Sequence, residues 1–136
     1  MNNGNRILKN KRIWLLAAGI LYLTAGCAGD TRGPRELLDK FFSSAVKLDY
    51  AETYTCYYDV YKAKVSRDEF IKHRKEASVL LSYKIVSISR PSRDTALAEV
   101  MLTFGPSARM NRKEPVTVSV KEELVQEGGG WKIKVW

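Results

Sequence analysis

Between Leu80 and Trp136 segments with strand character, two of them with apolar residues at every second position, are separated by turns and a loop, and that pattern leaves the chain few folds to choose from. Leu80–Ser89 is rich in β-branched and aromatic residues, and Arg90-Pro91-Ser92-Arg93-Asp94 reads as a turn. Ala96, Ala98, Val100, Leu102 and Phe104 then fall on one face of a half-buried strand. A loop from Gly105 to Pro115 separates it from Val116, Val118 and Val120, which lead through Leu124 and Val125 to Glu127-Gly128-Gly129-Gly130. Those glycines permit the positive φ of a tight hairpin, after which Trp131, Ile133 and Val135 return as a last strand, with Trp131 expected inward among Leu38, Phe41 and Phe42 of the first helix. The spacing therefore predicts four antiparallel strands joined in sequence.

The stretch before Leu80 has a helical period instead. Leu37, Leu38, Phe41, Phe42, Ala45 and Leu48 make one apolar stripe, with Pro34 in the first turn and Glu36 complementing the helix dipole. Asp49 and Glu52 are a start signal for a second helix, which carries Ala51, Tyr54, Tyr58 and Tyr61 on one face, beside Cys56 and Tyr57. Ser66-Arg67-Asp68-Glu69 opens a third, running to about Ala77. Helices followed by a meander are an α+β arrangement.

The first 26 residues belong to neither pattern. Arg6, Lys9, Lys11 and Arg12 precede an apolar run, Ile13–Leu23, of only 11 residues. A membrane-spanning helix needs about 20. A basic segment, a short apolar segment and small residues before a cut make a secretory signal peptide. Without those four cations, 19 of the 23 basic residues face 15 acidic ones. The remaining domain is mildly basic, with charges of both signs interspersed, which argues against nucleic acid as a partner. Two cysteines, Cys27 and Cys56, imply no disulfide framework.

Leu23-Thr24-Ala25-Gly26-Cys27 resembles the lipobox of bacterial lipoproteins. The resemblance implies cleavage between Gly26 and Cys27 and acylation of the Cys27 thiol. It implies residence at the cell envelope: the outer membrane of a diderm cell, or the outer face of the cell membrane of a monoderm one. The chain then divides into a signal peptide (1–26), a lipidated cysteine with a short polar tether (27–33) and one folded domain (34–136). Ala51-Glu52-Thr53-Tyr54, with Leu124-Val125-Gln126-Glu127-Gly128-Gly129-Gly130-Trp131-Lys132-Ile133, resembles the nuclear transport factor 2-like superfamily. Within it the chain is similar to small bacterial lipoproteins called cystatin-like or lumazine-binding-like. That resemblance implies a cone in which a curved four-stranded antiparallel sheet wraps the N-terminal helices, with room for a pocket at the open end. It implies no activity, because one fold hosts many functions.

Chemistry is sparsely written. His73 lies in a basic run, Lys72-His73-Arg74-Lys75, and reads as solvent-facing; Cys56 reads as a small buried hydrophobe. No metal-ligand set and no cofactor fingerprint occurs, so no cofactor is expected. Tyr54, Tyr57, Tyr58 and Tyr61 are either pocket lining or packing between helix and sheet. Lys72, Arg74 and Lys75, with Arg109, Arg112 and Lys113 in the long loop, are candidates for contact with anionic lipid or envelope phosphate.

Glu122 breaks the pattern. Counting on from Val116, Val118 and Val120, it falls on the apolar face, where a lone carboxylate is costly. A β-bulge near Lys121–Glu123 would turn it outward, and the sequence leans that way. Otherwise it points into the open end of the cone, where Tyr54 or Tyr58 could supply a hydroxyl. The expected role is a membrane-anchored module that binds a small apolar ligand or an envelope protein. The alternatives are an isomerase- or dehydratase-like enzyme using polar pocket residues, and a purely structural envelope component.

Overall fold

The computed structural model describes residues 29–135. Four helices precede the sheet: α1 (Arg32–Val46), α2 (Tyr50–Thr55), α3 (Asp59–Lys64) and α4 (Arg67–Glu76). The strands are β1 (Leu80–Ser89), β2 (Thr95–Phe104), β3 (Val116–Glu127) and β4 (Gly130–Lys134). They form one antiparallel meander in the order β1-β2-β3-β4, as the alternation requires. No helix among the described residues is long and apolar enough to cross a membrane.

Helix α1 lays Leu38, Phe41, Phe42 and Ala45 against the sheet. Their partners sit at alternate positions of the strands: Ala96, Ala98, Val100 and Leu102 on β2, Leu124 on β3 and Ile133 on β4. Phe41 meets Phe42 and Tyr57 edge-on with ring centroids 4.9 and 5.3 Å apart, while Phe42 stacks on Tyr83 at 5.4 Å. At the far side of α1 a buried pair of hydroxyls, Ser44 and Thr53, lies 2.8 Å apart and ties α1 to α2. Each hydroxyl also lies within reach of a backbone carbonyl, Phe41 at 2.9 Å and Asp49 at 3.0 Å; one donates to the other hydroxyl, which donates to its own carbonyl, so neither is left unsatisfied.

Four local expectations change. Helix α1 begins at Arg32, two residues before Pro34, so its first turn carries no acidic residue and Glu36 lies beyond it. Leu48 does not extend the apolar stripe. It follows the end of α1 with φ of 61° and is exposed, its N–H bonded back to the Ala45 carbonyl. This is the left-handed position that usually takes glycine after a helix. Leu48→Gly is therefore expected to stabilise the domain by about 0.5–1 kcal/mol, read as a higher midpoint in urea.

The second helix is two helices. Asp49 caps it as expected, accepting the Glu52 N–H at 3.1 Å, but α2 stops after six residues. The cause is tertiary. Ile133 of β4 donates its N–H to the Cys56 carbonyl and accepts the Tyr58 N–H, so Tyr57 adds a parallel bridge to the edge of β4. Residues 56–58 cannot hold that bridge and a helical turn together, and α3 restarts at Asp59. The Ser66 cap of α4 is as expected, with the Glu69 N–H at 3.3 Å.

Trp131 faces inward as expected and packs against the core cluster, but it is only half-buried, at the edge of that cluster. Its ring lies under the first turn of α1, where a Cβ on Gly33 would come within 2.8 Å of the indole, and the Arg90 guanidinium stands 5.1 Å from the ring on the other side. Glycine at position 33 is what permits so close an approach. The interior site under α1 goes to Ile133, which is 1% exposed.

Candidate functional site

Where Glu122 points follows from the pairing of β2 with β3. Partners run without interruption from Thr95 opposite Val125 to Phe104 opposite Val116, which sets Ala98 against Glu122 and Val100 against Val120. There is no bulge near Lys121–Glu123. The sheet takes its irregularities in β1 instead, between Leu80 and Ser82 and between Ile85 and Ser87. Glu122 accordingly shares the helix-facing side with Ala98, Val120 and Leu124. The outward alternative fails because its neighbours are locked in register on both sides.

On that side Glu122 is half-buried, and among the described residues it has no hydrogen bond and no ion pair. Burial alone pushes its carboxyl above the ordinary carboxylate range. Its electrostatic neighbour is Tyr57. Burial raises the Tyr57 hydroxyl far above its ordinary value; the positive charge of Arg74 opposes that shift and the carboxyl of Glu122 adds to it. Tyr61 packs on Tyr57 with ring centroids 4.5 Å apart and also lies within reach of the Arg74 charge. Phe70 of α4 closes the group, 5.4 Å from Tyr57 and 6.4 Å from Tyr61. Arg74 is half-buried, stands 5.8 Å from the Tyr50 ring, and keeps its Nε buried without a partner among the described residues.

Tyr57 and Tyr61 thus gather with Phe70 and Arg74 of α4, and Glu122 of β3 is linked to them through its charge on Tyr57. Chemically they offer a carboxyl whose burial favours its protonated form, phenol hydroxyls and one cation. Two other tyrosines are spent elsewhere. The Tyr54 hydroxyl donates to the Val65 carbonyl at 2.7 Å, and the Tyr58 hydroxyl donates to the Val135 carbonyl, so neither supplies a partner for Glu122. Tyr57 is one of the four tyrosines that the sequence leaves between pocket and packing, and the break after α2 is what separates it from Tyr54 and Tyr58; Arg74 reads in sequence as one more cation of a basic run.

The other face of the same strands carries a groove of about 390 Å³. Cross-strand rows line it: Ser87, Glu99 and Lys121, then Ser89, Leu97, Glu123 and Lys134, with Ala98 and Glu122 between the rows also bordering it. Lys134 and Glu123 form a half-buried ion pair at 2.9 Å, and Glu99 accepts the Ser119 hydroxyl at 2.8 Å. This surface had no counterpart in the sequence reading, because solvent-side residues of strands look alike.

The basic candidates divide. Lys72, Lys75, Arg109 and Lys113 are exposed, whereas Arg112 is held by the Gly105 carbonyl and Arg74 belongs to the group above. The loop bearing Arg109 meets the α4–β1 junction, where Ser78 Oγ approaches Met110 Sδ at 3.8 Å. His73 is exposed, and Cys56, 1% exposed, has its thiol pushed up by burial and away from reactivity. No cluster of metal-ligating side chains occurs among the described residues. Gly26 and Cys27, and with them the signal peptide and the acylation site, lie outside the described residues.

No protein-family model and no curated protein sequence matches the chain. Solved structures do. A SEC-C motif-containing protein of Rhodopseudomonas palustris superposes with a TM-score of 0.61 at 12% identity, over 76% of each chain. A second SEC-C motif-containing protein, from Psychrobacter arcticus, gives 0.59 at 11% identity over 76% of this chain, which spans only 59% of that one. An NTF-2-like protein of unknown function from Shewanella oneidensis gives 0.53 at 13% identity, covering 77% of this chain and 94% of that one. Identities this low speak to the fold alone. At that level the Shewanella likeness agrees with the resemblance to the nuclear transport factor 2-like superfamily, and the α+β class with an open antiparallel sheet stands.

Proposed function

We propose that this chain is a lipid-anchored envelope domain that binds a small, largely apolar ligand between its helices and its sheet, with Glu122 as the polar contact. The signal-peptide pattern and the lipobox support the location. One observation carries the binding role: a carboxyl held half-buried on the core side of β3, with no partner among the described residues. Such a group is kept at a cost in stability, and cost without a structural return is what a binding site leaves behind. The cone proposed from the family resemblance would place the aromatic wall of Tyr57, Tyr61 and Phe70 along the apolar part of the ligand. Arg74 and the Glu122 acid would then meet its polar end.

An isomerase- or dehydratase-like enzyme is the second reading, and the raised carboxyl favours it. A general base works best with a pKa near the working pH, and burial moves Glu122 in that direction. Tyr57 would be its neutral hydrogen-bond donor, since burial keeps that hydroxyl protonated.

Protein purified under native conditions and extracted into organic solvent should release a small molecule seen by mass spectrometry. Glu122→Leu should lose it while melting no lower than wild type. Retention of the molecule by Glu122→Leu removes this site as its holder. The anchor is tested separately on the N-terminal peptide, whose mass should show acyl chains on Cys27; an unmodified start elsewhere contradicts it.

A further inference from the structure

Resting on the lipid-anchor reading, we infer that the domain stands on an anionic phospholipid surface with one defined end down: the start of α1 and the β1–β2 turn. Gly29 is two residues from Cys27, so at most about 7–8 Å of chain separates them. Gly29 is also fixed in place. Its α-carbon lies against the Arg90 side chain, where a Cβ would come within 3.1 Å of Cδ, and Arg90 Nη1 donates to the Asp30 carbonyl at 2.9 Å. A second guanidinium nitrogen of Arg90 donates to the Arg93 carbonyl, and the whole group rests on Trp131. An acyl chain on Cys27 would therefore hold the β1–β2 turn at the headgroups, because the tether is too short to let it leave.

The charges at this end suit phosphate. Helix α1 starts with Arg32 and Arg35 exposed, no acidic residue in the first turn, and no side-chain cap from Thr31. Cations at the positive end of a helix dipole are unfavourable in isolation and are relieved by an anion. Arg93 of the β1–β2 turn is exposed, and a hollow of about 290 Å³ lies between Gly29 and Arg90-Pro91-Ser92-Arg93. Arg90 Nε is buried there without a partner among the described residues. Three carboxylates stand nearby in sequence. Asp30 is engaged by the Arg32 N–H at 2.9 Å, while Glu36 and Asp94 are exposed, which keeps the attraction modest. The cations singled out from sequence are at the wrong end for this role. Arg109, Arg112 and Lys113 lie in the β2–β3 loop, at the opposite end of ten-residue strands, about 30 Å away.

The test uses the full chain, purified from membranes and reconstituted into phosphatidylcholine vesicles with or without about 30% phosphatidylglycerol, with a quencher on the headgroups. A fluorophore is attached through Ser92→Cys in the turn, or through Ala108→Cys in the β2–β3 loop. Quenching at 92 is expected to exceed that at 108 at least about twofold, and more so on the anionic vesicles. Arg32→Glu with Arg93→Glu should bring the anionic result down to the neutral one; both side chains are exposed, and circular dichroism confirms the fold. Equal quenching at the two positions, or quenching indifferent to lipid charge and to the double substitution, overturns the docked end. The N-terminal mass is read first. If Cys27 carries no acyl chain, the anchor reading fails by itself, and flotation with anionic vesicles decides the surface: flotation lost in the double variant upholds it, and no flotation overturns it.

Discussion

Leu38→Ala should lower the unfolding free energy by about 3–5 kcal/mol, the upper part of the range for a fully buried leucine. Leu38 is 0% exposed and sits on the face of α1 that meets the sheet, with Leu124 and Ile133, at 0% and 1%, in the same core. Backbone on both sides limits collapse into the space left behind: α1 is held by Ser44 and Thr53, and the strands by continuous pairing. Single domains of about this size are stable by roughly 5–15 kcal/mol, so the substitution removes a large share. Urea denaturation with an unchanged m-value checks it. A loss under about 1 kcal/mol would mean that α1 does not lie on the sheet as described.

Trp131→Ala should cost less, about 2–3 kcal/mol, although tryptophan is the larger side chain. The ring is half-buried, and part of its contact is the Arg90 guanidinium at 5.1 Å. Its loss should also free the start of α1, because Gly33 and Arg90 both pack on the indole. Hydrogen exchange in residues 30–36 is therefore expected to quicken, while exchange in β2 follows global stability alone. Uniform quickening would place Trp131 in the central core, where a residue-by-residue reading of the hairpin puts it.

That difference illustrates what the sequence makes legible. Alternation at Ala96–Phe104 and Val116–Val120 fixes which side chains face the helices, and the structure keeps every one of those assignments, Glu122 included. Caps read from Asp49 and Ser66 are found in place, because each is a local bond between residues three apart. What failed depended on distant contacts. The break after Thr55 is imposed by Ile133, some eighty residues later, and nothing in Cys56-Tyr57-Tyr58 announces it. The same break puts Tyr57 within the electrostatic influence of Glu122 and leaves the Tyr54 and Tyr58 hydroxyls on backbone carbonyls. The bulge expected near Glu122 rested on the cost of burying a carboxylate, and that cost is borne in the folded chain instead of being avoided.

The account turns on Glu122, and its sign with pH can be worked out. A carboxyl whose pKa is raised on folding binds more protons in the native state than in the unfolded one between the ordinary value of 4.5 and the raised value. Stability therefore falls as pH rises through that window, and the cost is fully present above it. Glu122→Gln removes the ionisation and keeps the shape. The most direct measurement is the difference in Tm between Glu122→Gln and wild type at pH 7.5 and at pH 4. At pH 7.5 the variant is expected to melt higher, by about 4–8 °C if the cost is on the order of 1 kcal/mol, with the difference shrinking toward zero at pH 4. A variant that melts lower than wild type at pH 7.5, or a difference that pH does not change, would contradict a carboxyl on the core side of β3 with no partner among the described residues.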